Sequence, residues 1–338
     1  MKEYFISRMY KASAGMANAV LVTLGIGLLF ETFGKFLGWD TLVSIGTVTK
    51  LLLAPALGAG IAYQLGGNSL VLFSAMAAST IGGAALHINS DGGMTLVTGQ
   101  PISAVLAAAA ATYVGKRITG RTKLDMMAIP LGAVLVGGLV GAGLAAVVTP
   151  MLTTISAAIT TSVQGHPLLA PMAISLVWSI LLMSPASSAA IAIALKLDPV
   201  SSAAALIGCT VQFVGFTLMS VRQNDAGGFI AQFLVTPKVQ FPNLVKNPRL
   251  VIPTFISAII CAPIATLLFH FQASYELAGL GLNSLIAPLN ILAIQGAGAF
   301  TVYVLTGMVL PAVITLALYG VLKKIGWTKP GDLHMEVR

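Results

Sequence analysis

The sequence predicts an all-α integral membrane protein with roughly eight to ten transmembrane helices, re-entrant segments and internal repeats. Three observations carry that reading. Hydrophobic residues make up 57% of the 338 and charged residues only 8%, where an ordinary soluble domain has about 25% charged residues. So few charges cannot cover the surface of a soluble fold of this length. Long apolar runs recur along the chain, and at about 20 residues per span plus short loops they fill its length. The 35 glycines suit a bilayer, where small residues let helices approach closely.

The basic residues set an expected topology. Fifteen of the 18 Lys and Arg residues fall in four clusters that flank long apolar stretches. These are Lys2, Arg8 and Lys11; Lys116, Arg117, Arg121 and Lys123; Arg222, Lys238, Lys246 and Arg249; and Lys323, Lys324, Lys329 and Arg338. Under the positive-inside rule all four lie in the cytoplasm, as do both termini. The net charge of +8 forms no single basic face, which argues against nucleic acid as a partner. Cys209 and Cys261 sit inside apolar runs, read as small buried hydrophobes, with no metal site or disulfide framework around them. The apolar run from Ala12 continues past the length of a signal-peptide core and reads as a retained first helix.

The chain reads as one polytopic domain, 1–338, with three approximate repeat blocks. The first, 12–116, holds four spans: AGMANAVLVTLGIGLLFETFGKF, VTKLLLAPALGAGIAYQL, NSLVLFSAMAASTIGGAALH and SAVLAAAAATYVGKRI. The second, 124–220, opens on the glycine-rich IPLGAVLVGGLVGAGLAAVV. MLTTISAAITTSVQGH follows as an amphipathic stretch for the interface or the protein interior. HPLLAPMAISLVWSILLM and SSAAALIGCTVQFVGFTLM are the other two clean spans. Three spans break the parity the basic clusters require, so either SPASSAAIAIAL crosses in part or one segment is re-entrant; the second is the reading adopted, since non-helical backbone at depth is tolerated where it lines a cavity. The third block, 250–324, has the spans VIPTFISAIICAPIATLLF and FTVYVLTGMVLPAVITLALYGVL around a glycine- and asparagine-punctuated stretch. Blocks two and three share an Ile-Pro opening, Ile129-Pro130 and Ile252-Pro253, and a closing span. Transporters built from repeats bind their solutes at repeat interfaces beside broken helices. The connection 221–249 is read in two pieces: a re-entrant element, Gln223 to Gln232, and a cytoplasmic connection, Lys238 to Arg249.

Polar residues inside apolar sequence nominate the site. INSDGGMTLVTGQPIS and the residues just before it supply His87, Asn89, Asp91 and Gln100. This is either a re-entrant segment that hydrogen-bonds a polar solute or an ordinary loop with turn chemistry. His166, before Pro167, is a loop residue able to both donate and accept. Ser184 and Ser187 flank a proline in SPASSAA, where backbone bonding within a kinked helix is the competing reading. Asn224, Asp225 and Gln232 lie in the 221–249 connection. Asn283, Asn290 and Gln295 are amides in an apolar run, and burying one unpaired costs roughly 2–7 kcal/mol. All of these except Asn283 are taken as candidate substrate-binding residues. Glu31, Lys35 and Lys50 are expected to snorkel from span ends. No Gly-x-Ser-x-Gly elbow, P-loop, His-Glu-x-x-His or dinucleotide fingerprint is present, so no catalytic residue and no cofactor is assigned.

The stretches GGFIAQ and PNLVKNPRLVIP, with GQPIS and SPASSAA, resemble the phosphotransferase-system EIIC-like membrane proteins, including the perfringolysin-regulator-like group. FLVTPKVQ departs from that pattern, which has a small Gly- and Ser-containing segment there. The resemblance implies a sugar-permease-like fold, a homodimer and a cytoplasmic loop able to meet separate IIA and IIB phosphocarrier proteins. It implies a permease for a small polar, sugar-like solute, and enzymatic phosphorylation only as the membrane subunit of such a system. The alternative is a membrane-embedded sensor that binds a solute and signals to a cytoplasmic partner without transport.

Overall fold

The computed structural model describes residues 2–88, 93–184 and 188–335. It is 80% helical and divides into two compact units. The first comprises Met1–Ile155 with Ile193–Leu195, and the second Ser156–Ala192 with Lys196–Arg338. The boundary falls inside one helix, between the glycine-rich run and the hydroxyl-rich run that the sequence separated by character. The three-block reading divides the chain differently. Of its two Ile-Pro openings, Pro253 stands in the first turn of α13, where proline costs least, and Pro130 lies inside α7.

The first unit contains α1 (Lys2–Val20), a π-helical turn (Leu21–Gly25), α2 (Ile26–Leu37), α3 (Asp40–Leu51), α4 (Leu53–Gln64) and α5 (Ser69–Gly82). A hairpin of β1 (Leu86–Ile88) and β2 (Met94–Leu96) then leads to α6 (Pro101–Ile118) and into α7 (Asp125–Gly165). α2 stops at Gly38, which takes φ 65°. α3 and α4 form a pair bent by 57°, with Pro55 in the first turn of α4. Asn68 caps α5 by accepting from Val71 N at 3.0 Å. Ala62, Ala75, Ala78, Ala111 and Ala133 form the core. A Cβ placed on Gly58 would lie 2.3 Å from the Ala75 carbonyl oxygen, so helices here meet backbone to backbone, as small residues permit.

Glu31 and Lys50 do not snorkel apart. Their charged atoms pair at 2.8 Å, with side chains only 11% and 15% exposed, and Thr47 Oγ1 donates to Glu31 Oε1 at 2.7 Å. The α2–α3 hairpin brings the two span ends side by side, and a mutual partner replaces water.

The second unit begins in the last turns of α7 and contains α8 (Leu169–Met183), α9 (Ser188–Leu195, whose end is counted with the first unit) and α10 (Pro199–Ser220). The connection is a string of short helices: α11 (Ala226–Ile230), a π turn (Ala231–Val235), a 3-10 turn (Pro237–Gln240) and α12 (Phe241–Lys246). A further 3-10 turn (Pro248–Val251) leads to α13 (Ile252–Pro263), α14 (Ile286–Val304) and α15 (Leu310–Lys324). α8, α13 and α15 pack around α10, whose apolar window is 94% buried. Its polar side chains therefore find protein partners. Gln212 Nε2 donates to Ser179 Oγ at 3.0 Å, and Thr210 and Tyr303 share a bond of 2.8 Å.

By length and composition five helical stretches among the described residues can cross a membrane, or six if the bent α3–α4 pair is one span. The larger expected number counted apolar runs at full length, and the helices Ser69–Gly82 and Leu169–Met183 are shorter than a span. It also divided α7, which runs unbroken for 41 residues.

Candidate functional site

In the first unit, the chain leaves α5 through Ala84 in the left-handed region, φ 47°. Such strain in a non-glycine residue persists only where the surroundings enforce it. β1 pairs with β2 in antiparallel register, His87 opposite Thr95. Gly99 then turns the chain at φ 76°, and a Cβ there would lie 2.9 Å from the Gly83 carbonyl oxygen. Gln100 N donates to that same carbonyl at 2.7 Å.

This geometry delivers Gln100 to the N-cap of α6, with Pro101 at the first helical position. Gln100 Oε1 accepts from Ser103 N at 2.6 Å. Its Nε2 is shut off from solvent and has no hydrogen-bond partner among the described residues, and neither has the Oγ of Ser103, a residue with 0% exposure. Two unmet polar groups thus stand together at the positive end of a helix, where N–H groups without intrahelical partners also concentrate.

α10 starts the second unit's central helix with the same pattern. Asp198 is the N-cap and Pro199 the first helical residue. Asp198 Oδ1 accepts from Val200 N and Ser201 N, both at 3.1 Å. Its Oδ2 accepts from Ser201 Oγ at 2.5 Å and Thr160 Oγ1 at 3.1 Å. Here the serine one turn into the helix is satisfied.

The other residues nominated by sequence distribute as follows. Asn89, Asp91 and Ser187 lie outside the described residues, as does the side chain of His87. His166 is exposed beyond the end of α7. Ser184 Oγ donates back to Leu181 O at 2.8 Å. Asp225 caps α11, accepting from Gly228 N at 2.8 Å. Asn224 Nδ2 donates to Leu333 O at 2.9 Å and Ser220 O at 3.3 Å. Gln232 is fully buried and donates to Ser220 Oγ at 2.7 Å. Asn290 is buried in α14. Gln295 is exposed beside Gly296, where α14 breaks at φ 85°. Outside the membrane-spanning segments, burial pushes the Lys238 ammonium down to about 8.

Ser103 was not among the sequence-nominated residues, although it ends GQPIS; its signal is the spacing from a capping side chain to the first serine that can see it. The matching Asp198-Pro199-Val200-Ser201 was likewise missed, because the sequence reading divided it between the stretch ending in KLDP and the span beginning SSAAAL. Among the described residues no three His, Cys, Asp or Glu side chains converge to hold a metal.

A family model described as Phosphotransferase system, EIIC, matches residues 10–335. No curated protein matches the chain in sequence. The match covers nearly the whole chain, and the apolar helices place that chain in a bilayer. The protein therefore belongs to the phosphotransferase-system EIIC family, as a multi-pass membrane subunit of transporter type.

Proposed function

We propose that the chain is a permease whose solute is small, polar and rich in hydroxyls, bound at the start of α6. The observation that supports this reading is the pair Gln100 Nε2 and Ser103 Oγ, both buried without partners among the described residues. Leaving such a group unmet costs about 1–3 kcal/mol. A sugar-like hydroxyl removes both deficits, because it accepts from the amide and either donates to or accepts from the serine. The helix N-terminus adds favourable potential for the solute oxygen. His87, Asn89 and Asp91 precede these groups along the same connection and are retained as candidate ligands. Gln295, at the break in α14, is a separate candidate in the second unit.

The reading includes cytoplasmic termini and basic loops, from the charge clusters. Family membership supports a homodimer served by separate IIA and IIB phosphocarriers. The test is a panel of sugars and polyols, measured for binding to purified protein and for uptake into vesicles. Gln100→Ala and Ser103→Ala should each weaken binding of the identified solute by at least about tenfold, or 1.4 kcal/mol. Unchanged binding in both variants would remove the site. Binding without uptake, with or without phosphocarriers, would favour the sensor reading instead.

A further inference from the structure

Three membrane-crossing stretches of the second unit meet at one end: Pro199–Ser220 finishes there, Pro248–Leu268 begins there and Asn283–Lys324 finishes there. Hydrogen bonds fix the meeting. Asn224 Nδ2 donates to Ser220 O at 3.3 Å and to Leu333 O at 2.9 Å. Asn247 Nδ2, just before the second stretch, donates to Trp327 O and to Asp332 Oδ2, both at 3.0 Å. Arg249 lies over the Trp327 ring, its guanidinium carbon 4.9 Å from the ring centroid. A helix that leaves the hydrocarbon core does so at headgroup depth, so this layer stands at one surface of the bilayer.

The layer is both basic and apolar. Arg222, Lys246, Arg249, Lys323, Lys324 and Lys329 are all exposed. Among them stand Val245, Ile325 and Trp327, exposed by 69%, 51% and 42%. The carboxylates among the described residues here are already engaged by donors of the chain. Asp225 Oδ1 accepts from Gly228 N at 2.8 Å. Asp332 Oδ2 accepts from Asn247 Nδ2 and Lys329 N, each at 3.0 Å. The far end of α10 differs. There Ala273 N donates to Pro199 O at 3.1 Å, and the nearby charged residues Lys196, Asp198 and Glu276 are of mixed sign.

An acidic protein partner would account for the charge but not for the bare aliphatic and indole side chains at the same level. A lipid leaflet accounts for both. Apolar side chains enter the acyl boundary while lysine and arginine reach the phosphates. We propose that this end of the second unit binds anionic phospholipid headgroups, with Lys246, Arg249, Lys323 and Lys324 on the phosphates and Ile325 and Trp327 in the acyl boundary. The surface is independent of the solute site at α6.

The test uses the full chain in phosphatidylcholine vesicles that carry a small share of acyl-brominated phosphatidylglycerol, whose bromines quench tryptophan on contact. Subtracting the Trp327→Phe signal isolates Trp327. Brominated phosphatidylglycerol should quench Trp327 at least about fivefold more effectively than brominated phosphatidylcholine, the gain that one surface charge supplies. Added salt should reduce that preference. Lys246→Gln, Lys324→Gln and Lys329→Gln combined should bring it close to parity, and arginine at the same three positions should retain it. Melting in detergent checks that the variants fold, and the salt series on the unmodified chain decides the matter if they do not. Equal quenching by the two lipids overturns the proposal, as does a preference that the folded glutamine variant or high salt leaves intact. Equal quenching together with binding of soluble polyglutamate would assign the surface to an acidic protein instead.

Discussion

α6 and α10 begin with the same grammar: a capping side chain, a proline, an aliphatic residue and a serine. In Asp198-Pro199-Val200-Ser201 the carboxylate has two acceptor oxygens. One serves the backbone and the other takes the Ser201 hydroxyl at 2.5 Å. In Gln100-Pro101-Ile102-Ser103 the amide has one acceptor oxygen, which the backbone consumes at 2.6 Å. The remaining amide nitrogen is a donor, and it and the Ser103 hydroxyl are left unmet among the described residues. Exchanging one carboxylate for an amide is thus enough to turn a self-contained cap into one with spare hydrogen-bonding capacity. The first serves stability, and the second is where a solute has something to gain.

Breaking the closed cap should have the largest effect. Asp198→Ala removes the cap, worth about 0.5–2 kcal/mol, and strands the buried Ser201 hydroxyl, at a further ~1–3 kcal/mol. A loss of roughly 1.5–5 kcal/mol should appear as a lower melting temperature in detergent. A melting temperature equal to that of the unmodified chain would show that the α10 start is not held this way.

The open cap should respond in the same sense but less. Gln100→Ala loses the same kind of cap, about 1 kcal/mol, but strands nothing new, so its effect on melting should be the smaller of the two. Its effect on solute binding should exceed its effect on stability, and calorimetry of the same preparation measures both.

Gln100→Glu tests the chemistry of the difference. A second carboxylate oxygen in place of Nε2 can accept from Ser103 Oγ as Asp198 does from Ser201. Stability should hold within about 1 kcal/mol, while solute binding falls because the donor has gone. If the glutamate variant binds as well as the original, the amide nitrogen is not a ligand.

The serines give the smallest contrast. Ser201→Ala removes a hydroxyl that is hydrogen-bonded and should cost about 1 kcal/mol. Ser103→Ala removes one that has no partner and should leave the melting temperature unchanged or slightly raised, since an unmet buried hydroxyl is itself a cost. Equal losses at both positions would mean that Ser103 has a partner after all.

Much of this protein was legible in its composition. The scarcity of charge and the apolar runs gave an all-α membrane fold, and the short motifs gave the family. Gln100 was legible as a candidate because an amide beside a proline in an apolar chain needs a reason. Its partner Ser103 was not, because a serine in an alanine-rich helix is ordinary until its surroundings are known. Glu31 and Lys50 looked like independent surface charges because 19 positions of sequence separate them; the α2–α3 hairpin makes them a pair. Asn224 was read as a solute ligand, and the structure gives its amide to a segment 109 residues further on.

The sequence by itself determined the solvent: with 8% charged residues the chain must bury its helices in lipid, whatever their arrangement. It also determined where helices start, since caps and prolines act within a few residues. Only the tertiary structure decided which polar groups are satisfied. That question depends on partners tens of residues away, and inside a bilayer or a protein core no water can stand in for a missing one. For this reason the GQPIS and DPVS helix starts, alike in pattern, differ in whether the described residues satisfy their polar groups.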